Sequence, residues 1–401
     1  MTGRMVLPLR MAALVLAVLA TVMAPPGSLA AQAAPLQGLD AYVEKGIQDW
    51  EIPGLALAVV KDGEVIHMRG YGVKSLDTGE PVDENTLFAI GSASKAFTAS
   101  AVAMLRDEGL LEWDDPANEH LPSLELFDPW ATRQLTVRDI LTHRSGLSRG
   151  DAVWYSTDFN RDETLRRIRY LEPSWGFREQ FGYQNLMYLA AGQLVPALTG
   201  TSWDAFVEER IFEPLGMERS NPSADSLEGM RNVAAPHSWI DGEVGTIPYK
   251  NIDNIGPAGS INSSVAEMVN WLRLHLSDGT FQGQQILSED AVEEMQTPQM
   301  LLRLEGRWRG MSPTSHFMTY GMGWFLNDHH GRLVVQHGGN IDGMHALVGM
   351  MPEEDVGLVV LTNITPNYLS YSLMYRVFDA ILGEEPVDWS GQLLEWYRDL
   401  Q

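Results

Sequence analysis

Short apolar runs of strand length occur near both ends of this 401-residue chain, and the long segment between them has a helical pattern. Near the start, residues 55–60 and 65–71 are separated by an Asp-Gly pair, which is a strong hairpin signal between two such runs. In the last third, four runs are linked by Gly, Asp, Asn and Pro turns: residues 320–326, 333–336, 346–350 and 357–361. This arrangement predicts an α+β fold in which helices flank one antiparallel sheet built from both chain ends.

The middle of the chain predicts a mostly helical domain inserted into this sheet. Helical spacing or helix-end signals occur in residues 136–143, 185–198, 203–211 and 264–276, and further helices are predicted over 36–50 and 368–382. We therefore expect a single unit from residue 34 to 401, with its sheet part at about 34–110 and 265–390. The helical insertion would span about 111–264, and the groove between the two parts is the natural place for a site.

Composition excludes several classes of function. The net charge of −25 comes from scattered acidic residues, whereas nucleic acid binding needs clustered Lys and Arg. The same charge argues against a polybasic membrane patch. The chain has no cysteine, which excludes disulfides, thiolate metal sites and a cysteine nucleophile.

The first 33 residues have the pattern of a secretory signal peptide. Arg4 and Arg10 precede an apolar run at residues 11–24, and small residues suited to cleavage follow. The run is too short to span a bilayer comfortably, although an uncleaved anchor is the alternative interpretation. We expect an exported bacterial protein, periplasmic or extracellular, without a stable membrane span after cleavage.

A serine and a lysine stand three residues apart in residues 91–95 (GSASK), at the start of a small-residue apolar run that ends at Gly109. On a helix, Ser92 and Lys95 would share a face and touch. A lysine whose pKa is lowered by burial can accept the serine proton and activate it as a nucleophile. The alternative is a helix cap at Ser92 and a solvated cation at Lys95, which the helix dipole disfavours.

Two further motifs contain groups that suit the same chemistry. Tyr183 and Asn185 open the helix predicted over 185–198, where a phenol can shuttle protons and an amide can position a substrate, although core packing and helix capping also explain them. His337, which can exchange a proton near neutral pH, precedes two glycines and Asn340 after a strand-like run. Glycines there admit a ligand backbone, and the alternative is an ordinary turn.

Taken in this order, the three motifs resemble the class C β-lactamase and penicillin-binding-protein family of serine hydrolases, which includes D-aminopeptidases, carboxypeptidases and esterases. The resemblance covers about residues 36–385. Further landmarks are residues 141–147 (LTHRSGL), 212–217 (FEPLGM), 256–260 (GPAGS) and 320–324 (YGMGW).

The resemblance implies that Ser92 attacks an acyl carbonyl and forms an acyl-enzyme. It further implies that Lys95 and Tyr183 share the proton transfers and that Asn185 holds the substrate amide or the lysine. The backbone N–H groups of Ser92 and Asn340 would form the oxyanion hole. Which of Lys95 and Tyr183 acts as general base stays open.

One departure from the family pattern concerns the substrate. Where β-lactamases have Lys-Thr-Gly, this chain has His337-Gly338-Gly339, which weakens a β-lactamase assignment and resembles the esterase and peptidase branch. We expect a small-molecule or short-peptide substrate, with cell-wall fragments as one candidate source. The alternative function is a non-catalytic or slowly turning-over sensor of penicillins or peptidoglycan fragments. Five aromatic residues, Trp154, Tyr155, Phe159, Trp175 and Phe177, either line the pocket or pack beneath a loop.

No cofactor or metal is expected. The dinucleotide, P-loop and His-Glu-x-x-His patterns do not occur in the sequence. Four histidines, at positions 329, 330, 337 and 345, lie close in sequence but have no carboxylate at metal-binding spacing.

Overall fold

The computed structural model describes residues 1–3 and 36–399. The predicted signal segment lies almost entirely outside the described residues. The strands are β1 (Gly54–Lys61), β2 (Glu64–Gly72), β3 (Phe88–Ala89), β4 (His237–Ile240), β5 (Glu243–Thr246), β6 (Asn262–Ser263), β7 (Thr280–Phe281), β8 (Gln284–Gln285), β9 (Met300–Leu302), β10 (Met318–Tyr320), β11 (Phe325–His329), β12 (Arg332–Ile341), β13 (Met344–Met351) and β14 (Val356–Thr362).

Helices occupy most of the remaining chain. They are α1 (Leu39–Asp49), α2 (Ser94–Asp107), α3 (Ala117–His120), α4 (Pro129–Gln134), α5 (Val137–Leu141), α6 (Arg161–Arg167), α7 (Asn185–Thr199), α8 (Trp203–Val207), α9 (Glu213–Leu215), α10 (Val265–Leu276), α11 (Glu289–Met295), α12 (Arg307–Met311), α13 (Leu369–Leu382) and α14 (Trp389–Asp399). The 3₁₀ turns are Gly91–Ala93, Asp151–Val153, Ile168–Tyr170, Ala224–Leu227, Asp253–Ala258 and Pro352–Glu354, and Glu208–Phe212 is a π-helical turn.

One antiparallel sheet joins the two chain ends, in the order β2-β1-β14-β13-β12-β11-β10-β9. Side chains along a strand point alternately to opposite faces, and β1 shows why its sequence is apolar at nearly every position. Ala56 and Ala58 pack into the core shared with α2 and α10, whereas Leu55 and Leu57 pack into the core shared with α1 and α13. Strand β1 is therefore buried on both faces. The predicted α+β fold with one antiparallel sheet built from both chain ends is confirmed.

The predicted hairpin joins β1 to β2 through Asp62 and Gly63. Both residues have positive φ, of 52° and 73°, which is the requirement of the tight turn that an Asp-Gly pair favours. One predicted strand was wrong in its extent. Residues 320–326 are divided by a turn in which Gly323 has φ 81°, so that Tyr320 ends β10 and Phe325 begins β11.

Helix α2 is almost entirely buried and forms the centre of the molecule. It ends as its sequence predicts, because Gly109 adopts φ 71° and donates a hydrogen bond to the Arg106 carbonyl oxygen. Phe97 stacks on Trp271 of α10 with ring centroids 3.7 Å apart. This contact fixes α2 against the helix that covers the sheet.

The two-residue strand β3, which precedes the predicted insertion of residues 111–264, pairs with β6 at the end of that insertion. Between these strands the chain is mainly helical, but it also forms the hairpin β4–β5. Helix α5 is shorter than predicted because Thr136 caps it in a capping box with Asp139, and His143, with φ 57°, lies beyond its end. The helix predicted over 203–211 changes to a π-helical turn after Val207.

Helix α14 was not predicted, although Trp389, Leu393 and Trp396 have helical spacing. It packs on α13, and the Trp389 indole donates a hydrogen bond to Asp379. Asp379 also pairs with the buried His329 and lies 3.3 Å from His330. The tertiary fold therefore places beside these histidines a carboxylate that the sequence spacing did not indicate. The contacts of Asp379 with His329 and Trp389 anchor α13 and α14 to β11.

No helix in the described part of the chain combines the length and apolar character needed to cross a membrane.

Replacing Phe97 by Ala should destabilise the protein strongly, because the change empties a buried site stacked on Trp271. We expect the free energy of unfolding to fall by ~3–5 kcal/mol, measured by denaturant titration. Phe127→Ala is the matched control, since that ring is 52% exposed. Equal effects of the two substitutions would contradict this assignment of the core.

Candidate active site

Ser92 lies in the 3₁₀ turn that leads into α2, and Lys95 lies in the first turn of the helix. The Lys95 Nζ is 3.1 Å from the Ser92 Oγ, 2.8 Å from the Asn185 Oδ1 and 2.7 Å from the Ala258 carbonyl oxygen. Ser92 is half-buried and faces a cavity, whereas Lys95 is fully buried. The structure thus places the two predicted residues in direct contact.

Burial lowers the pKa of Lys95 well below its usual value, because a charged ammonium loses its hydration there. The positive charge of Arg149 lowers this pKa further, and the negative charge of Asp151 acts in the opposite direction. A buried lysine of this kind can exist as a neutral amine.

Asn185 is held from both ends of its amide. Its Oδ1 accepts a hydrogen bond from Lys95, and its Nδ2 donates to the Asp151 Oδ1 at 3.2 Å. Asp151 also accepts from the Trp154 indole at 3.0 Å and pairs with Arg149 at 2.5 Å. Sequence reasoning missed Asp151, which orients the amide oxygen toward the lysine.

Tyr183 lies over the same lysine, with the Lys95 Nζ 4.9 Å from the ring centroid. Burial raises the pKa of Tyr183, and a hydrogen bond to Ser92 and the charge of Arg149 only partly oppose this effect. The phenol is therefore protonated at neutral pH. The charge of Arg149 lowers the pKa of Tyr183, but the effect of burial is larger.

Behind Tyr183 lies a second buried group that the sequence indicated only as a landmark. The His143 ring is 4.4 Å from the Tyr183 ring, and its Nδ1 accepts a hydrogen bond from the Gln184 backbone N–H at 3.0 Å. Burial lowers the pKa of His143 well below its ordinary value. The neutral ring positions the segment that bears Tyr183.

Strand β12 passes directly beside the nucleophile turn. Its partner β11 pairs only as far as Gln336, so the edge of residues 337–341 on that side is not covered by β11. A Cβ at Gly339 would stand 1.8 Å from the Ile90 carbonyl oxygen and 2.9 Å from the Ser92 nitrogen. Gly339, which we expected to admit a ligand backbone, instead admits the backbone of the chain itself.

His337 lines the cavity but does not behave as its ordinary pKa suggests. Burial lowers the pKa of His337 to about 3, and Lys95 adds to this effect. Its Nδ1 lies 2.7 Å from the Gly338 carbonyl oxygen, and its Nε2 lies 3.1 Å from the Tyr320 hydroxyl. The expectation that His337 exchanges protons near neutral pH is wrong, because the ring is neutral and both nitrogens have partners.

A cavity of about 290 Å³ opens in front of Ser92 and brings together most of the predicted site. Its wall includes Tyr183, Asn185, His337, Gly338 and Asn340. The residues that sequence reasoning missed come from several separate segments: Arg149, Arg307, Trp308, Met311, Phe325, His345, Thr365, Pro366, Asn367, Tyr368 and Tyr371.

The five aromatic residues of the connection before Tyr183 divide among different places. Trp154 lines the cavity, whereas Trp175 and Phe177 line a separate hollow of about 130 Å³. The Tyr155 hydroxyl donates to Asp342, and Phe159 packs beneath the Arg167 guanidinium. Both alternatives therefore apply, each to different residues.

Comparison with known proteins agrees with this geometry. Residues 39–376 match the family model described as Beta-lactamase. The chain belongs to the Beta-lactamase family. It is 30% identical over 347 residues to penicillin-binding protein 4 of Amycolatopsis lactamdurans, covering 83% of this chain and 86% of that protein. It is 28% identical over 381 residues to an unguisins hydrolase of Aspergillus campestris, covering 90% of this chain and 67% of that protein.

A solved structure shares the fold. The octameric penicillin-binding protein homologue from Pyrococcus abyssi matches with a TM-score of 0.76 at 24% identity, covering 88% of this chain and 78% of that chain. Family membership makes this protein a serine hydrolase of the β-lactamase-related family, with the acyl-enzyme chemistry of that group.

Adding a single methyl group at Gly339 should disturb the site while leaving the cavity wall chemically unchanged. We expect Gly339→Ala to lower acylation of the protein at least ~10-fold, because β12 must move away from the Ser92 turn. Mass spectrometry of the covalent adduct measures this rate. Gly331→Ala, on the turn of the same hairpin, is the control for losing a glycine, because a Cβ there would meet nothing within 4 Å. The positive φ of Gly331 adds backbone strain, but away from Ser92. Unchanged acylation of Gly339→Ala would contradict the close approach.

Proposed function

We propose that the protein hydrolyses an ester or amide through an acyl-enzyme on Ser92, with Lys95 as the general base. The contact set of the Lys95 Nζ supports this proposal most directly. Two of its three neighbours, the Asn185 Oδ1 and the Ala258 carbonyl oxygen, can only accept hydrogen bonds. The third is the Ser92 hydroxyl, which can donate.

A neutral amine has two N–H donors and one lone pair, and this count matches the three neighbours. Lys95 donates to Asn185 and Ala258, and its lone pair then faces the Ser92 O–H. As the Ser92 Oγ bonds to the substrate carbonyl carbon, its proton moves to Lys95 and the carbonyl electrons move onto oxygen. The backbone N–H groups of Ser92 and Asn340 would stabilise this oxyanion, and the Asn340 nitrogen faces the nucleophile turn.

The leaving group departs when the carbonyl re-forms, and it takes the proton held by Lys95. Tyr183 lies between the lysine and the cavity and relays this proton as a protonated phenol, since its raised pKa disfavours a phenolate base. A water molecule then attacks the acyl carbon. Its proton passes to Lys95 and finally to Ser92, which restores the free enzyme.

The proposed substrate is an ester or a short D-amino-acid peptide, with β-lactam turnover weak or absent. The neutral His337 and the side-chain-free Gly338 offer no charge from β12 to a β-lactam carboxylate. One relative is named a hydrolase of unguisins and another a penicillin-binding protein, which supports hydrolysis of an acyl compound. The signal-like N-terminus supports the proposal that the protein is exported and meets cell-wall fragments.

Removing the Ser92 hydroxyl should abolish covalent labelling. We expect a fluorophosphonate or fluorescent penicillin to label the wild-type protein and not Ser92→Ala, as measured by gel fluorescence and intact mass. Ser94→Ala is the matched control, because that serine is buried two residues away and accepts only from the Ile261 backbone N–H.

Retention of label in Ser92→Ala would refute the nucleophile assignment. Labelling of the wild-type protein without turnover of p-nitrophenyl esters, D-aminoacyl anilides or nitrocefin would favour the sensor function instead.

The charges beside Lys95 should move the pH dependence of acylation in opposite directions. The base works only when neutral, so acylation falls as the pH drops through the lowered pKa of Lys95. Asp151→Asn removes a charge that raises this pKa, and the acid limb of the profile should move to lower pH by ~0.5 unit. Arg149→Gln removes a charge that lowers it, and the limb should move to higher pH.

The rate of pre-steady-state labelling, measured from about pH 4 to about pH 10, gives the profile of each variant and of the wild-type protein. Arg169→Gln, a change at a surface ion pair, should leave the limb in place. Shifts of the same sign for Asp151→Asn and Arg149→Gln would exclude Lys95 as the titrating base.

A further inference from the structure

The cavity in front of Ser92 has an electrostatic character opposite to that of the whole protein. The chain has 53 acidic and 28 basic residues, yet the charged residues among the described cavity wall are Arg149 and Arg307, without a carboxylate. The two histidines of the wall add no charge, because burial lowers the pKa of His337 to about 3 and that of His345 to about 4. The charged side chains of the described cavity wall are therefore all cationic.

Arg149 is already paired. Its Nε lies 2.5 Å from the Asp151 Oδ2, and the same carboxylate holds Asn185 and Trp154 in place. A second anion at Arg149 would have to compete with this pair and with the charge of Asp151. Arg149 is accordingly part of the lysine environment rather than a free binding group.

Arg307 has no such partner in the described part of the chain. It lies on α12, in the connection between β9 and β10, and forms no ion pair or side-chain hydrogen bond with residues 36–399. Its guanidinium lies 4.7 Å from the centre of the Trp308 ring. Burial raises the pKa of two phenols of the wall, Tyr368 and Tyr371, and the charge of Arg307 acts in the opposite direction on both. These contacts show that the cation faces the cavity although the residue is exposed.

We propose that Arg307 binds a carboxylate of the substrate, while Trp308, Tyr368 and Tyr371 take up an apolar group beside it. The proposal rests on the proposed acyl-transfer function and adds the substrate class: acyl compounds or short peptides that bear a free carboxylate next to an aromatic or aliphatic side chain. A planar guanidinium forms two parallel hydrogen bonds with a carboxylate, which a single arginine can satisfy.

The proposed anion site does not lie on β12, where the lysine of the Lys-Thr-Gly motif would stand in a β-lactamase. His337 belongs to β12 beside the nucleophile, whereas Arg307 reaches the cavity from the connection between β9 and β10. Between them lie Trp308 and Phe325, whose ring centroids are 5.1 Å apart, and Phe325 is 5.0 Å from the His337 ring. A carboxylate at Arg307 is therefore separated from the reacting carbonyl by the width of these two rings.

Binding can be tested without turnover in the Ser92→Ala protein. Isothermal titration calorimetry compares N-acetyl-D-phenylalanine with its neutral amide, which differ in the carboxylate and retain the ring. We expect the acid to bind at least ~5-fold more tightly than the amide, and this preference to weaken at high salt. Arg307→Gln should remove this preference for the acid, and Arg307→Lys should keep part of it. The control is Arg303→Gln, in the connection between β9 and α12 and outside the cavity wall, which should leave the preference intact.

Equal affinity for the acid and the amide, no measurable binding of the acid, or a preference that survives Arg307→Gln would overturn the assignment. The acyl-transfer function is tested separately by Ser92-dependent turnover of neutral p-nitrophenyl esters, which do not need Arg307. Loss of that turnover with an intact acid preference would refute the hydrolase function and leave the anion site standing.

Discussion

The site depends on one buried amine. Lys95 is enclosed on α2, and burial costs an ammonium the hydration that would keep it charged. Three oxygen atoms around its Nζ match the donors and the lone pair of the neutral form. Helix α2, the Ala258 segment and the start of α7 must all be in place for this match, so the packing of three separate chain segments decides the chemistry of one side chain.

The fold brings β12 to the nucleophile by backbone contact. Gly91 and Gly339 face each other without side chains, and β11 does not pair with the strand edge beyond Gln336. The two glycines thus position the sheet against the helix, and the substrate site is the space that remains in front of them.

The charged side chains of the site lie outside the part of β12 that faces the cavity. Burial makes His337 neutral, so β12 contributes shape and hydrogen bonding without charge. Arg149 acts on Lys95 and is balanced by Asp151. Arg307 remains as the cation that faces the cavity among the described residues, and it comes from a connection that the catalytic motifs do not include.

Local patterns were sufficient for the first hairpin, for several of the long helices and for the reacting pair, but not for α14 or for the turn that separates β10 from β11. An Asp-Gly turn, two-sided apolar strands and a serine three residues before a lysine depend on neighbours close in sequence, and the structure places Ser92 against Lys95 as those patterns indicate. The strength of burial, the partners of His337 and the free guanidinium of Arg307 depend on segments far apart in the chain. Desolvation and charge act through space. For this reason the pKa shifts of Lys95 and His337 and the composition of the cavity wall were decided by tertiary packing.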